Sequence, residues 1–346
     1  MIYFNSDYLE GAHPSIMVKM AETNMVQTVG YGEDEYCEAA REKIKVACQA
    51  PEADVHFLVG GTQTNTTVIA AILRPWQGVI SAVSGHINCH EAGAIESTGH
   101  KVITLPTDNG KITAQQVADY VEWHKNDEST EHIVQPGMVY ISHPTEAGTL
   151  YTRAELTELY DTCRRYGLPL YIDGARLGYG LAAEESDMTL PEFARLCDVF
   201  YIGGTKVGAL FGEAVVIMNE SLKKDFRFIM KQRGGRLAKG RLLGIQFDAL
   251  FTDDLYFKIS RHAIEMAHQI RDIFVSAGYP LLFDSPTNQQ YPIMPDAELA
   301  EIGKSFGYEY WERVDETHSG VRFCASWATT QENVDALREA VNALKK

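Results

Sequence analysis

Between about residues 35 and 217 the sequence alternates between helical segments and short apolar runs, and this alternation strongly restricts the possible folds. The helical segments lie near 35–49, 63–73, 89–98, 113–126 and 153–166. The apolar runs are 55–59, 78–81, 101–105, 138–141, 170–172, 198–202 and 214–217. Such alternation predicts an α/β fold, with a mainly parallel sheet of seven strands and helices on both faces.

The pattern changes after about residue 253, which indicates a second, smaller unit. One long helical segment ends near Gly278 and is followed by short strands at 291–294 and 321–324 and a closing helix from Gln331. We therefore expect a large domain over 21–250 and a small α+β domain over 251–346, preceded by an N-terminal arm over 1–20. The stretch 283–290, which contains a proline and an asparagine, is predicted to be a surface loop.

Two chemically useful side chains follow two of the predicted strands. Asp173 comes directly after the run that ends at Ile172, and Lys206 follows the run 198–202 and two glycines. Ligands of open α/β sheets bind at the C-terminal edges of the strands. Pyridoxal phosphate needs a lysine amine for its Schiff base and a carboxylate that keeps its pyridine nitrogen protonated. The pair therefore predicts this cofactor, although either residue alone would more often be a turn former or a solvated loop residue.

The first predicted strand of the alternating region leads into a glycine-rich turn that can bind phosphate. Residues 55–59 are followed by Gly60-Gly61-Thr62 and then by an apolar helix. Glycine lets the backbone approach a ligand closely, and the free amides of a helix N-terminus bind anions. The spacing fits neither a dinucleotide fingerprint nor a nucleoside-triphosphate loop.

A histidine follows the next predicted strand at the same edge of the sheet. His86 comes after the run 78–83. An imidazole in that place can lie flat on the pyridine ring of the cofactor. A single histidine is more often an ordinary loop or core residue. The functional interpretation of His86 therefore rests on its position, which is at the end of a strand like those of Asp173 and Lys206.

Composition restricts the partners and the compartment. The net charge of −16 makes nucleic acids and anionic membrane surfaces poor partners. The six cysteines include no C-x-x-C pair, which predicts reduced core cysteines and gives no support for a zinc site. The N-terminus lacks the features of a signal peptide, and no run of 18 apolar residues is present. We expect a cytoplasmic enzyme that acts on a small molecule.

These motifs resemble the threonine aldolase family, the β-eliminating lyase group of fold type I pyridoxal-phosphate enzymes. The resemblance extends over nearly the whole chain, and Asp173-Gly174-Ala175-Arg176 is its most specific element. The other matching motifs are Ser6-Asp7, Tyr31-Gly32-Glu33-Asp34, Gly61-Thr62 with Asn65, His86 with Glu91 to Glu96, Asp108 to Lys111, Thr205-Lys206 and Gly234-Gly235. The fold implied is that of the fold type I transferases.

The resemblance implies a role for each matching residue. Lys206 would carry the cofactor, Asp173 would pair with the pyridine nitrogen, and His86 would stack on the ring. Arg176 would bond the phenolic oxygen of the ring. The residues implied at the phosphate are Gly61 and Thr62, and those implied at the substrate are Ser6, Tyr31 and Arg322.

Some segments depart from the family pattern. Thr205 stands where a serine is usual, and Lys239 is the nearest substitute for an arginine that reaches the phosphate from a neighbouring subunit. The stretch Ser142 to Glu146 replaces a Glu-Asn-Thr form and is interpreted as the mark of a subgroup with a different preference for the β-substituent. The family also implies a homodimer or homotetramer whose active sites are shared between subunits.

The reaction implied is retro-aldol cleavage of a β-hydroxy-α-amino acid, such as L-threonine or L-allo-threonine, to glycine and an aldehyde. Arg322 and Ser6 would hold the substrate carboxylate and so orient the bond to be broken. His86 is a candidate for handling the hydroxyl proton, followed by His132 and His143, but the sequence does not identify the base. Another reaction of the same cofactor, such as β-elimination, transamination or decarboxylation, stays open, as does a non-catalytic protein on the same scaffold.

Overall fold

The apolar runs of the alternating region form one sheet in the structure, a computed structural model that describes residues 1–345. The strands are β1 Ile2–Tyr3, β2 Asp54–Leu58, β3 Gln77–Ala82, β4 Val102–Leu105, β5 Gln135–Ser142, β6 Leu170–Asp173, β7 Val199–Gly203, β8 Glu213–Ile217, β9 Gln289–Gln290, β10 Ile293–Pro295, β11 Phe306–Gly307, β12 Glu309–Arg313 and β13 His318–Cys324.

Helices connect most of these strands. They are α1 Pro14–Thr23, α2 Glu35–Cys48, α3 Gly61–Ile72, α4 His86–Cys89, α5 Ala114–Asn126, α6 Arg153–Tyr166, α7 Leu177–Ala182, α8 Leu190–Ala194, α9 Phe226–Gln232, α10 Arg241–Leu250, α11 Leu255–Ser276, α12 Asp296–Ile302 and α13 Gln331–Ala343. No helix within residues 1–345 combines the length and the apolar character needed to cross a membrane.

The large sheet has seven strands in the order β2-β8-β7-β6-β5-β3-β4. The pairs among β3, β4, β5, β6 and β7 are parallel, whereas β8 runs antiparallel to both β2 and β7. The C-terminal ends of β2, β3, β5, β6 and β7 therefore lie at one edge of the sheet. The predicted α/β fold with a mainly parallel seven-stranded sheet is confirmed.

Local sequence signals determine where the helices end and the strands begin, as β6 shows. For β6, the preceding α6 begins at a capping box between Thr152 and Glu155 and ends at Gly167, which has a φ of 69°. Both signals satisfy backbone groups that a helix end leaves without partners. The chain then enters β6, in which every residue is buried, and Asp173 is the last residue of the strand. The apolar run and its caps thus place this carboxylate.

Two sequence predictions are wrong. The helix expected near 89–98 is replaced by the four-residue α4 and a 3-10 turn at Glu96–Thr98. The break lies at Ala92 and Gly93, which adopt positive φ values of 50° and 72°. The predicted surface loop at 283–290 is largely buried, because its polar side chains contact the protein interior. The buried members are Ser285, Thr287, Asn288, Gln289 and Gln290.

A further apolar core, distinct from the two formed with the strands of the large sheet, lies in the C-terminal part of the chain. It contains Phe4, Met266, Ile270 and Phe323, whereas Ile264, on the same helix α11, belongs to the core of the sheet. The N-terminal β1 pairs with β11, so the start of the chain also joins the C-terminal part. The change from one core to the other falls within α11, since Tyr256, Ile259 and Ile264 belong to the core of the sheet. We propose an arm over 1–20, a large domain over 21–250 against which the first turns of α11 also pack, and a small domain over 251–346, whose last residue lies outside the described part of the chain.

We predict that Gly174→Ala destabilises the protein, because β6 and β7 leave no room for a methyl group there. A Cβ at this position would lie far inside the van der Waals distance of the Tyr201 carbonyl oxygen. Overpacking against backbone costs about 1–3 kcal/mol or more. Gly60→Ala is the matched control, since Gly60 has an extended φ of −178° and no atom lies within 4 Å of the place that its new methyl group would occupy. Urea unfolding of both variants without cofactor measures the difference, and equal stability would contradict the prediction.

Candidate active site

The common edge of the sheet brings together the residues that the sequence singles out. Asp173 ends β6, and Lys206 lies in the turn after β7. His86 begins α4 just after β3, and Gly61 begins α3 just after β2. These four residues are far apart in the sequence, and the parallel strand order is what gathers them.

The Asp173 carboxylate is buried and accepts four hydrogen bonds. Oδ2 accepts from Tyr140 Oη at 2.7 Å and from Asn65 Nδ2 at 3.1 Å. Oδ1 accepts from Tyr201 Oη at 2.5 Å and from the amide of Ala175 at 3.0 Å. Burial alone would raise the pKa of Asp173, but the His86 imidazole and these donors hold the pKa below its ordinary value. The carboxylate is therefore kept ionised.

His86 is oriented by a second carboxylate, Glu91. His86 Nδ1 lies 2.8 Å from Glu91 Oε1, and that oxygen also accepts from Asn65 Nδ2 at 2.7 Å. Tyr171 Oη donates to Asn65 Oδ1 at 2.6 Å, which fixes the amide between Glu91 and Asp173. Burial would lower the pKa of His86, but the Glu91 hydrogen bond and the Asp173 charge outweigh it and raise the pKa.

Lys206 is half-buried at the same edge, and its Nζ lies 6.0 Å from the centre of the Tyr8 ring. Burial and the nearby Arg176 guanidinium lower the pKa of Lys206, against the attraction of Asp7 and Asp173. A lowered pKa increases the fraction of neutral amine, which is the form that attacks a carbonyl carbon. The turn therefore presents a nucleophilic nitrogen.

Arg176 is held by Asp7 from the N-terminal segment. Its Nε and Nη2 donate to the two carboxylate oxygens of Asp7 at 2.6 and 3.1 Å. Asn288 Nδ2 also donates to Asp7 at 2.9 Å. Burial would raise the pKa of Asp7, but the Arg176 charge and these hydrogen bonds lower it to about 2. The ion pair ties the arm, the sheet edge and the 283–290 segment together.

Arg322, on β13, lies near the arm and is fixed by neutral acceptors. Its Nη1 donates to Gln289 Oε1 at 3.1 Å, and its Nη2 donates to the Asn5 carbonyl at 3.2 Å. The buried Nε of Arg322 has no partner among residues 1–345. Ser6, beside Asn5 in the sequence, is buried as well. A guanidinium without an ionic partner at such a place suits an incoming carboxylate.

Tyr31 and Lys239 lie close to each other at the surface. The Tyr31 amide donates to the Ala238 carbonyl at 3.2 Å, and Lys231 Nζ lies 4.6 Å from the centre of the Tyr31 ring. Lys239 is exposed. The strand edge gathers Lys206, Asp173, His86, Gly61 and Thr62, and the N-terminal segment lies against Arg176 and Arg322. Tyr31 and Lys239 adjoin each other through the backbone and make none of the site contacts described above.

Neither of the additional histidines is suited to proton transfer at this edge. His143 is 1% exposed and packs against Phe193 at 5.1 Å between ring centres. Burial lowers the pKa of His143 to about 4. His132 ends a 3-10 turn that precedes β5, so it lies toward the opposite edge of the sheet. The expectation that either could handle the hydroxyl proton is not supported by these positions.

Several polar residues of the site have no obvious sequence signal. Tyr140 and Tyr201 look like ordinary strand residues, although both hydroxyls donate to Asp173. Glu146 belongs to the segment that departs from the family pattern, and its Oε1 accepts from the His86 amide at 2.9 Å. Glu213 begins β8 behind Lys206, and burial raises its pKa to about 8. Of the hydrogen-bond partners of Asp173 and His86, only Asn65 and Glu91 could have been expected, because they belong to the motifs that resemble the family.

Pyridoxal phosphate fits this set of residues. The ionised Asp173 matches a protonated pyridine nitrogen, and Lys206 supplies an amine of lowered pKa. Thr64 is the first residue of α3 whose amide bonds to a carbonyl at the helix start, that of Gly60 at 3.0 Å. The amides of Gly61 and Thr62 precede it, as required for binding a phosphate group at a helix N-terminus.

Comparison with known families agrees with this site. The sequence model described as "Beta-eliminating lyase" matches residues 4–339. The low specificity L-threonine aldolase of Pseudomonas aeruginosa is 28% identical over 337 residues, which cover 96% of this chain and 95% of that protein. A low specificity L-threonine aldolase of a Pseudomonas species is 27% identical over 344 residues, covering 99% and 97%.

Solved structures extend the comparison to the fold. The structure of Leishmania major threonine aldolase superposes with a TM-score of 0.97 at 42% identity and covers 100% of both chains. An aspartate aminotransferase variant of Thermus thermophilus has a TM-score of 0.71 at 13% identity and covers 99% of this chain and 91% of its own, which shows a common fold alone. The predicted family and the fold type I architecture are confirmed.

We predict that Asp7→Asn destabilises the protein in a pH-dependent way. With a folded pKa of about 2 and an ordinary value of 3.8, the Asp7 carboxylate contributes about 2 kcal/mol of stability that is fully present above pH 4 and is lost as the pH falls toward 2. The variant also leaves the buried Arg176 without an ionic partner, so the expected loss at pH 7 is about 3 kcal/mol or more.

Urea unfolding of the wild-type and Asp7→Asn proteins between pH 7 and pH 3 measures this effect. The difference in unfolding free energy should narrow as the pH falls below 4. Glu10→Gln is the control, because Glu10 is exposed in the same segment. A difference that stays constant down to pH 3 would count against the ion pair as its cause.

Proposed function

Since the chain belongs to the β-eliminating lyase family, we propose that it is a pyridoxal-phosphate-dependent aldolase. The substrates proposed are L-threonine and L-allo-threonine, which it cleaves to glycine and acetaldehyde. The relatives and the structural neighbour named as threonine aldolases support this reaction because they match the chain over nearly its full length. The observation that carries the proposal is the buried, ionised Asp173 at the same strand edge as Lys206.

The cofactor is proposed to be bound covalently at Lys206. Asp173 would hold its pyridine nitrogen, and Gly61 and Thr62 would hold its phosphate. When bound, pyridoxal phosphate supplies an electron sink for the bonds around the Cα atom of an amino acid. The four donors that keep Asp173 ionised support the pairing, since a neutral carboxyl could not stabilise a protonated ring nitrogen.

The protein's own residues bind and orient the substrate. Arg322 and Ser6 are proposed to hold its carboxylate, because Arg322 has donors and lacks an ionic partner among residues 1–345. Anchoring the carboxylate restricts rotation about the bonds at Cα, which is an orientation effect. His86, fixed through Glu91, is proposed to cover the face of the ring. Arg176, fixed through Asp7, is proposed to face the phenolic oxygen.

Product analysis tests the proposed function against other reactions of the cofactor. The purified protein is loaded with pyridoxal phosphate and incubated with L-threonine, L-allo-threonine and L-phenylserine. The expected products are glycine and the matching aldehyde in equal amounts. Release of ammonia with a keto acid would instead indicate elimination or transamination, and the absence of any product with all substrates would contradict an aldolase.

We predict that Lys206→Ala loses the covalent cofactor and nearly all turnover, because the amine that forms the bond is removed. Borohydride reduction followed by peptide mass analysis should find the cofactor on Lys206 in the wild type and on no lysine in the variant. Lys258→Ala, which removes an exposed lysine on α11, is the control and should retain the adduct. A wild-type visible spectrum in Lys206→Ala would refute the assignment.

We also propose a cytoplasmic homodimer or homotetramer in which Tyr31 and Lys239 serve the partner's active site. Both lie in one exposed surface patch, and the family resemblance assigns the position of Lys239 to a phosphate contact with the neighbouring subunit. Exposed apolar residues are frequent in the segment of the chain that precedes Tyr31, which favours a subunit contact there. They are Tyr8, Leu9, Met17, Val18, Met25, Val26 and Val29.

We predict that Lys239→Ala weakens cofactor binding several-fold while the oligomer persists, because a cation near the phosphate is lost. The dissociation constant is measured by fluorescence, and the oligomeric state by analytical ultracentrifugation. Lys101→Ala is the control, since Lys101 is exposed just before β4, at the other edge of the sheet. A wild-type monomer that keeps its cofactor and its activity would rule out a shared site.

A further inference from the structure

We propose that Glu146 is the base that accepts the proton of the substrate's β-hydroxyl group during cleavage, an inference that rests on the proposed aldolase function. Glu146 follows β5 at the common edge of the sheet, in the segment that departs from the family pattern. Its neighbours His143, Pro144, Thr145 and Ala147 are buried, whereas Glu146 itself is half-buried. Glu146 is therefore partly accessible in a segment whose other residues are enclosed.

Two hydrogen bonds fix the Glu146 carboxylate beside His86. Oε1 accepts from the His86 amide at 2.9 Å and from Ser142 Oγ at 2.6 Å. Both described bonds fall on the same oxygen, so the other oxygen is the one offered to a ligand. The Glu146 carbonyl also accepts from Tyr291 Oη at 2.6 Å, and the charge of Arg322 acts on that same tyrosine. Glu146 thus lies between the proposed ring-stacking residue and the proposed carboxylate-binding residue.

A chain of hydroxyl groups connects Glu146 to Asp173. Ser142 Oγ lies 3.3 Å from Tyr140 Oη, and Tyr140 Oη donates to Asp173. The serine proton points to Glu146 while that carboxylate is ionised. Once Glu146 is protonated, the serine can accept its proton and turn its own toward the tyrosine oxygen, because a hydroxyl both donates and accepts. The hydrogen bonds of the Ser142 and Tyr140 hydroxyl groups can therefore adjust to both protonation states of Glu146.

The pKa of Glu146 suits a base. Burial raises it, Ser142 opposes that effect, and the Asp173 charge adds to the rise, so that the pKa lies above its ordinary value. A base whose pKa is closer to the working pH transfers a proton more efficiently than an ordinary carboxylate. The other charged or titratable groups facing Glu146 are His86, Tyr140, Tyr151 and Tyr291.

The other acidic and basic groups at this edge are less suited. The Nδ1 atom of His86 is engaged by Glu91, and the ring is proposed to stack on the cofactor. Glu91 is buried, and its Oε1 is shared between His86 and Asn65. Asp173 has four hydrogen-bond donors and is proposed to hold the pyridine nitrogen. Glu146 is the carboxylate that combines access with a fixed orientation.

The proton and electron balance of the step needs no further reactant. The β-hydroxyl O–H bond breaks as its proton passes to Glu146, the carbonyl bond of the aldehyde forms, and the Cα–Cβ bond breaks. The electron pair of that bond stays with the glycine fragment, for which bound pyridoxal phosphate would supply the electron sink. Cα then takes a proton from Lys206, and exchange with water returns the proton from Glu146 to Lys206. The sum is one amino acid converted to glycine and one aldehyde.

Two reactions of the same site can be compared to distinguish a catalytic role of Glu146 as a base from a purely structural role. Cleavage of L-threonine requires removal of the hydroxyl proton, whereas exchange of the glycine α-hydrogen with deuterium from heavy water does not. Glu146→Gln keeps the size and the hydrogen-bond acceptor of the side chain but removes the basic oxygen. We expect cleavage to fall about 100-fold or more, as for the loss of a general base, while glycine exchange, the visible spectrum and the melting temperature stay near those of the wild type.

The pH profile gives a second readout. In the wild type kcat/KM should fall on the acid side as Glu146 becomes protonated, and this limb should disappear in Glu146→Gln. Glu146→Asp, which keeps the carboxylate, should retain part of the cleavage rate and the limb. Glu131→Gln is the matched control, because Glu131 is exposed in the turn that precedes β5 at the opposite edge.

The outcomes distinguish this inference from the proposed function. Wild-type cleavage that persists in Glu146→Gln would overturn the role of Glu146 and leave the aldolase intact. Equal loss of cleavage and glycine exchange would also overturn it, by showing a structural role. A wild type that exchanges glycine but cleaves none of the hydroxy-amino acids would contradict the proposed function itself, whatever the variants do.

Discussion

The structure depends on keeping one buried charge, that of Asp173. An ionised carboxylate removed from water is costly unless it is paired or fully hydrogen-bonded. Its partners come from different elements: Tyr140 from β5, Tyr201 from β7, Asn65 from α3 and the Ala175 amide from the turn after β6. Because β5 and β7 flank β6, the strand order itself supplies two of the four donors. The strand order that defines the fold therefore also provides the hydrogen bonds that keep Asp173 ionised.

A second buried charge joins the C-terminal apolar core to the sheet. Asp7 closely follows the arm residue Phe4, which packs in the C-terminal core, yet its carboxylate pairs with Arg176 after β6. Asn288 and Gln289, from the buried polar segment, contact Asp7 and Arg322 respectively. The proposed substrate carboxylate would thus bind where the arm and the C-terminal core meet the sheet edge, so a movement of that core against the sheet would change the geometry at Arg322.

The sheet and its edge residues could be predicted from the sequence because their signals are local. An apolar run followed by Asp173 or Lys206 indicates a strand and what lies at its end. The buried segment 283–290 could not be predicted in this way, because its polar residues resemble those of a surface loop and their partners, among them Gly148, Asp7 and Arg322, are distant in the sequence. The early end of α4 could not be predicted either, because it depends on the positive φ values of Ala92 and Gly93, which the residue types do not indicate. The position of Glu146 depended on the amide of His86, a partner that no spacing along the chain indicates.

Glu91 and Glu146 both lie beside His86, but they differ in how accessible they are to a ligand. Glu91 is enclosed, and its Oε1 is occupied by the His86 ring and by Asn65. Glu146 is bound to the His86 backbone instead and is partly accessible. Neither arrangement follows from the residue type, since both are carboxylates near the same imidazole. What distinguishes them is that Glu91 bonds to the side chain of His86 and is buried, whereas Glu146 bonds to the amide at the start of α4 and is partly accessible. A site that must hold a ring and also move a proton beside it needs one carboxylate of each kind, and two different atoms of His86 hold them at this sheet edge.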